Sequence, residues 1–538
     1  MAVPRCHGFP SPSAWRRPAV FVFLWLSIAF GVHAEADPPA DPATPRFDVF
    51  EYRVEGNSVL PAERIERAVY PFLGEQRTVA DVESARVALE AAYRNAGYGT
   101  VVVDTPEQRI TDGVVTLQVL QAPVSRLRVV GAQYYSQGRI LDKVPALAEG
   151  EVPNFKAVTA QLATVNRSAD RRVTPLLRPG KAPGTTEVDL TVEDQFPLHG
   201  SLELNNKSSP NTTESRLQAS LRYDNLWQRE HSISAQVQVS PEKTSEVKVF
   251  SGSYTVPTGS GLLVFSYTRS NSNTVAGVGG TTIFGRGSIY GVRSIWLLEG
   301  TSTLNHSITL AADYKDYQES VSVGSNAGFN TPIRYLPFGA SYAATVTDPD
   351  GYWQSGGGLT FALRGLASRQ AQFEDKRYKA QNNFTVLKLN LARTQNLPRG
   401  FTLFGSLEGQ FSDQALISNE QFVAGGVDSV RGYLDATAVG DKAWRTSLEL
   451  RTDNLAPEGA GWLGSLTAHT FFDGAWLRLK DSLPVQRNRD TLTSVGFGLR
   501  LQAHRYASLS LDVGWPLHDA GPTRAGHARV HASGVIEF

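Results

Sequence analysis

Residues 494–501 read Ser-Val-Gly-Phe-Gly-Leu-Arg-Leu, and residues 507–515 read Ala-Ser-Leu-Ser-Leu-Asp-Val-Gly-Trp. A strand turns successive side chains to opposite faces, so each segment presents one apolar face and one face of charge, hydroxyl and glycine. Leu217, Ala219, Leu221 and Tyr223 repeat the pattern, as do Ile233, Ala235, Val237 and Val239. From about residue 197 to the end helical periodicity is gone, and Gly, Asn, Asp, Ser and Pro clusters separate the alternating runs. A soluble sandwich also alternates. Segments near ten residues long and aromatic residues at strand ends (Tyr223, Trp227, Trp444, Trp476, Trp515) point instead to a transmembrane barrel. At roughly 21 residues per strand and connection, residues 197–538 supply about sixteen antiparallel strands, enough for an aqueous lumen.

The N-terminus fits that reading. Arg5, Arg16 and Arg17 form a positive stretch, Ala19 to Phe30 is apolar, and Val32-His33-Ala34 is a small-x-small cleavage site. Residues 1–34 are therefore read as a signal peptide. The apolar run is too short for a spanning helix, and no later segment is continuously apolar over about 18 residues. A chain that spans a membrane without helices must close its sheet into a barrel. Cutting after Ala34 removes the one cysteine, Cys6, and with it disulfides, cysteine nucleophiles and thiolate metal sites. It also removes three arginines and no acid, leaving 49 basic against 52 acidic residues, without the basic excess of a nucleic-acid binder.

Between signal and barrel the period changes twice. After a short Pro-rich segment (35–46), residues 47–121 read as a strand (Phe47 to Val59), a short helix ended by Pro71, and a longer helix. The longer helix opens with Thr78 and Asp81 in a capping-box pattern and stops at Gly97. Two strands follow, around an Asp112-Gly113 turn. Residues 122–194 repeat this order: a strand over Val124 to Val130, helices near Gly138 to Leu147 and Phe155 to Ala169, then strands over Thr174 to Leu177 and Thr186 to Glu193. Two small β-α-α-β-β domains thus precede the barrel.

These residues resemble the outer-membrane transporters of two-partner secretion, of the haemolysin secretion and activation type. Val54-Glu55-Gly56-Asn57, Ala96-Gly97-Tyr98 and Pro106-x-Gln108 look like the family's first polypeptide-transport-associated domain, and Asn166-Arg167 with Asp170-Arg171-Arg172-Val173 looks like its second. Tyr223-Asp224-Asn225-Leu226-Trp227 resembles an early periplasmic turn. Gly425-Gly426 followed by Val430-Arg431-Gly432-Tyr433 matches the V-R-G-Y motif of the loop called L6. Between strands at Phe401 to Phe411 and Trp444 to Arg451 that connection is about 30 residues long, well beyond a hairpin loop. Alternation over Leu466 to Trp476 puts His469, Phe471 and Asp473 on the lumenal face, where Phe471-Phe472-Asp473 fits the family's F-x-D motif. The resemblance implies an Arg431 to Asp473 contact, bidentate and geometrically specific, and expected here as a partly hydrated lumenal pair. The last strand ends in Phe538, the C-terminal signal that such barrels offer to the barrel-assembly machinery.

The function so implied is export, without chemistry and without a cofactor or metal, of a large secreted exoprotein recognised through its N-terminal secretion domain. Activation of that partner is an accompanying role the resemblance allows. The location implied is the bacterial outer membrane, amid its lipids, with the N-terminal domains in the periplasm and no nucleic acid as partner. The alternative is an insertase that assembles other barrels, against which two periplasmic repeats rather than more count. Family members often plug the pore with an N-terminal helix; the four prolines among residues 35–46 argue against one here, so gating by L6 alone is expected. Gly459-Ala460-Gly461-Trp462-Leu463-Gly464 fits a dinucleotide-loop pattern, but no βαβ unit surrounds it.

Overall fold

The computed structural model describes residues 45–538 apart from 211, 273–274, 279–280, 322–328, 458, 460 and 485. The expected signal peptide (1–34) lies outside the described residues, as does the Pro-rich segment up to residue 44. The chain divides between Gln121 and Ala122 into two compact units.

In the first unit, Glu51–Glu55, Val102–Asp104 and Val114–Leu120 form a three-stranded sheet. Val114–Leu120 is central, parallel to Glu51–Glu55 and antiparallel to Val102–Asp104. The single strand expected over 47–59 is broken at Phe50, because the amides of Phe50 and Glu51 both reach the Gly113 carbonyl, at 2.8 and 3.2 Å. The detached piece, Phe47–Val49, pairs with Gly74–Arg77, a short strand the sequence reading lacked. The helix Val79–Ala96 starts at the Thr78/Asp81 capping box, buries Val82, Ala85, Leu89 and Tyr93, and stops at Gly97 with φ 106°. Gln108 extends the sheet with its side chain, bonding both the amide and the carbonyl of Thr116 at 2.7 and 2.8 Å.

The second unit begins with a sheet of the same order. Thr186–Asp194 is central, parallel to Val124–Val130 and antiparallel to Arg171–Pro179. The first expected helix shrinks to Gln137–Asp142 and a 3₁₀ turn at Pro145–Leu147, because Pro145 can continue no α-helical ladder. The second, Phe155–Val165, ends four residues early: the Asn166 side chain turns to bond the Val173 amide and carbonyl, at 2.7 and 2.9 Å.

Sixteen antiparallel strands then close into a barrel. The first is Leu198–Asn205, the second Arg216–Leu226, the third His231–Val239 and the last Arg529–Glu537. The eighth is interrupted at Leu336, yet both halves keep one register on the seventh, Lys315 facing Tyr335 and Ala312 facing Phe338. Five residues of the last strand pair with the first, and Phe538 extends the seam by exchanging two 3.0 Å bonds with Gly200. Pairing of the last strand with the first closes the sheet on itself, the condition for crossing a membrane with strands. Leu387, Leu389 and Leu391 illustrate the exposed outer face, and Lys388 and Asn390 between them the lumenal one.

The second α/β domain is bolted to the first periplasmic turn, Trp227–Glu230. Arg171, buried over the Tyr135 ring, donates to Glu230 at 2.7 Å, and Lys143 pairs with the other carboxylate oxygen at 2.5 Å. Nearby, His199 lies 3.0 Å from Asp170 and 3.6 Å from Asp224, whose carboxylates also accept from Gln195, Arg222 and Ser232. Burial pushes the Glu230 carboxyl up, but Lys143 and Arg171 outweigh it and hold it below its ordinary value of 4.5. A depressed carboxylate contributes stability that is fully present above its unfolded pKa and is lost as pH falls through the folded one. Hydrogen-exchange protection of the 135–143 segment in the intact protein is therefore expected to stay level above about pH 5 and to decline below the unfolded value. Glu230→Gln is expected to lower that protection at neutral pH and to flatten the decline; an unchanged decline in this variant would assign it to other groups.

Candidate functional site

L6 (residues 412–441) joins the eleventh strand, Thr402–Phe411, to the twelfth, Lys442–Arg451, and folds inward. Gly425 and Gly426, at φ 107° and 99°, turn the chain, and the Asp435 amide donates to Ser208 O, in the connection between the first and second strands, at 2.9 Å. Val430 and Tyr433 are fully buried against Ala443, Ala475, Leu477 and Leu492 of the wall. The Tyr433 hydroxyl donates toward the carbonyls of Thr493 and His518, at 3.1 and 2.9 Å. The two apolar anchors thus deliver the intervening Arg431 to one spot on the lumenal face.

Arg431 meets Asp473 of the thirteenth strand, Leu463–Arg478, at three points. Nε donates to Oδ2 at 2.7 Å, Nη2 to Oδ1 at 2.8 Å, and the backbone amide to Oδ2 at 3.1 Å. Nη1 donates to Glu449 at 2.6 Å, and Ser447 Oγ braces Asp473 Oδ1 at 2.7 Å. The guanidinium lies over the Phe471 ring, 3.6 Å from its centroid. Asp512 of the fifteenth strand, Ala507–Pro516, stands 3.5 Å away and is itself held by His469 and Arg500, each at 2.8 Å. The pair is not the partly hydrated contact expected: the side chains of Arg431 and Asp473 are 5% and 0% exposed, because L6 covers them. A buried pair is costly to break, since loss of one partner leaves an uncompensated charge, at about 3–5 kcal/mol.

Two glycines make room here, one for the L6 tip and one for the Phe471 ring against which Arg431 lies. A Cβ on Gly514 would lie 2.6 Å from the Gly432 amide nitrogen, and one on Gly496 would lie 2.3 Å from the Phe471 ring. The Gly432 amide donates to His531 Nε2 of the last strand at 3.0 Å. Of these supporting groups the sequence reading missed Ser447, Glu449, Asp512, Gly514 and His531. Alternation could have placed Ser447 and Glu449 on the lumenal face, where Ser447 pairs directly with Asp473, and it puts Asp512 and Gly514 on the polar face of their strand; nothing local marks which of these groups meets L6. Phe538 sits at the other end of the barrel, its exposed ring over Gly200.

A second connection packs beside L6 at this end of the barrel. The L5 connection (363–384) contributes a helix, Gln370–Lys376, whose Phe373 is buried with Tyr335 and Phe384 among Tyr317, Ile333, Leu416 and Ile417. Arg377 pins it to the base of L6 through a bidentate pair with the fully buried Asp441, at 2.6 and 2.7 Å. L5 meets L6 here because the phenylalanine of a polar helix finds an apolar site among Leu416 and Ile417. Beneath it a cavity of about 410 Å³ adjoins Arg431, Glu449 and Arg500, and another of about 620 Å³ adjoins Lys207, Lys388 and Asp428.

Comparison with known proteins agrees with this architecture. Residues 184–501, more than half of the chain, match the family described as haemolysin secretion/activation protein ShlB/FhaC/HecB, and residues 47–122 match the ShlB-type POTRA domain. The outer membrane transporter CdiB of Dickeya dadantii is 24% identical over 445 residues, 79% of this chain and 75% of that protein. The heme/hemopexin transporter protein HuxB of Haemophilus influenzae is 21% identical over 489 residues, 86% and 82% of the two chains. Among solved structures, CdiB from Escherichia coli superposes with a TM-score of 0.68 at 20% identity, covering 94% of this chain and 93% of that one. CdiB from Acinetobacter baumannii gives 0.60 at 15%, over 92% and 90%. With a sixteen-stranded barrel, a ShlB-type domain ahead of it and more than half its length matched, the chain belongs to the haemolysin secretion/activation family of outer-membrane transporters, which export partner exoproteins and are not enzymes.

Proposed function

We propose that this transporter takes its exoprotein by the N-terminal secretion domain on the exposed edge of the first α/β domain and passes it, extended, through a lumen whose gate is the Arg431 tip of L6. In this reading residues 1–34 are a cleaved signal peptide and 122–194 a second transport-associated domain. The repeated sheet order supports the latter: first strand parallel to the last, last antiparallel to the middle one. Edge strands invite pairing because their amides and carbonyls lack partners, and alternate side chains add specificity. Phe538, hydrogen bonded at the seam, is the group that the barrel-assembly machinery reads. Export rather than assembly of other barrels is the function of the family to which the chain belongs.

The observation that carries the gating part is the burial of Arg431 among groups from three strands. A charge so enclosed has one good seat, and leaving it costs the pair its partners. Arg431→Ala and Asp473→Ala are each expected to release the L6 tip, raising its cleavage by external protease and impairing secretion while the barrel still inserts. Residues sharing one contact give non-additive losses, so the double variant should secrete about as poorly as either single one. Defects that simply multiply would mean two independent charges. Deleting residues 47–121 is expected to leave an inserted, conducting barrel that no longer secretes. Undiminished secretion by that deletion would move recognition elsewhere in the chain.

A further inference from the structure

The membrane-facing aromatic rim does not stop at the barrel. At its periplasmic edge Tyr223 lies on the outer face of the second strand, in step with the exposed Leu221, and Trp227 lies edge-on to His231 and Tyr254. Trp227 is 67% exposed. The row continues through Phe196 in the linker, whose ring meets Tyr223 at 5.9 Å, to Tyr134 of the second α/β domain, whose ring meets Phe196 at 5.6 Å. Phe196 and Tyr134 are 53% and 39% exposed, although Tyr135 beside them is buried.

The loop that presents Tyr134 is held rigidly. The amides of Gln133, Tyr134 and Tyr135 all donate to Asp194, at 2.8–3.1 Å. From the barrel side, Asn225 and Gln228 donate to the Tyr134 carbonyl at 3.2 and 3.0 Å, and the Ser136 amide donates to Gln228 at 2.9 Å. Nothing in this clamp needs the Tyr134 ring, which is left pointing along the line of rings that begins on the barrel's lipid face. Arg139 and Arg229 stand exposed at a small pocket that Tyr135, Ser136 and Gln228 of this clamp also line.

We propose that Tyr134 and Phe196 enter the headgroup region of the periplasmic leaflet, so that the second α/β domain carries a membrane anchor of its own, made of glycerophospholipid contacts. Tyrosine and tryptophan favour that layer because one end of each ring system is apolar and the other polar. Exposed arginines suit lipid phosphate. The occupant follows from continuity: the rings extend the surface by which the barrel already meets lipid. A domain fixed by one protein clamp could still rock about it; a second, lipid contact sets its tilt toward the lumen.

The test uses full-length protein, in a Cys6→Ser background that leaves no other cysteine, reconstituted in nanodiscs of phosphatidylethanolamine and phosphatidylglycerol. Nitroxides are placed singly at Tyr134→Cys and Phe196→Cys, with Leu221→Cys as the lipid-facing reference and Lys181→Cys as the aqueous one. Position 181 lies in the turn at the far end of the hairpin, about 27 Å along the strand from the clamp. The quantity read is collision with dissolved oxygen, which concentrates in lipid, relative to a water-soluble nickel chelate. Heat-modified gel mobility confirms folding of each variant. We expect the oxygen-to-nickel ratio at 134 and 196 to exceed that at 181 several-fold and to approach that at 221. A ratio at both positions equal to that at 181, as for rings kept free for a passing polypeptide, would overturn the anchor. So would low collision with both reagents, the mark of rings buried in protein.

Discussion

A guanidinium cannot leave water cheaply, and in this barrel one has done so. Arg431 gives up hydration for Asp473, Glu449 and the Phe471 ring, and its neighbours balance: Arg451 holds Glu449, and His469 and Arg500 hold Asp512. Such a network is stable only when complete, since each missing partner strands a charge in low dielectric. Much else serves that completeness. Val430 and Tyr433 fill apolar sites on either side, Gly514 removes the side chain that would block the approach, and His531 accepts the next amide from the last strand. L6 therefore has one well-packed seat on the wall.

The membrane imposes the rest of the architecture. A closed sheet satisfies every strand edge, yet a closed sheet around water would leak. Here L5 and the base of L6 share an apolar cluster fastened by Arg377 and Asp441, and the L6 tip lies against the lumenal wall. At the opposite end the second α/β domain is fastened to the first periplasmic turn by Arg171, Lys143 and Glu230. Ion pairs with at least one buried partner thus recur where separate segments meet.

How much of this could be read in the sequence depended on the range of the forces involved. Alternation is local, so the barrel, the lumenal side of Asp473 and the repeat of two small domains were legible, and the Thr78/Asp81 cap and Gly97 stop marked their helix at both ends. The break at Phe50 was hidden, because it is made by the Gly113 carbonyl more than sixty residues away. The helix Gln370–Lys376 has one large apolar residue and no period; only the apolar cluster with L6 gives Phe373 a reason to be buried. Ser447 and Glu449 sit in a visible lumenal row, but their meeting with Arg431 depends on where L6 descends. The dryness of the pair was misjudged for the same reason: the cover is the loop itself.

The central claim is that Arg431 keeps the L6 tip on the wall. The most direct measurement is the distance between nitroxides at Asp428, exposed near the tip, and Lys388, on the lumenal face of the tenth strand, by double electron–electron resonance in lipid bilayers. The account predicts one narrow distance distribution in the otherwise native protein and a broad or displaced one when Arg431→Ala is added. The same narrow distribution in both proteins would contradict it.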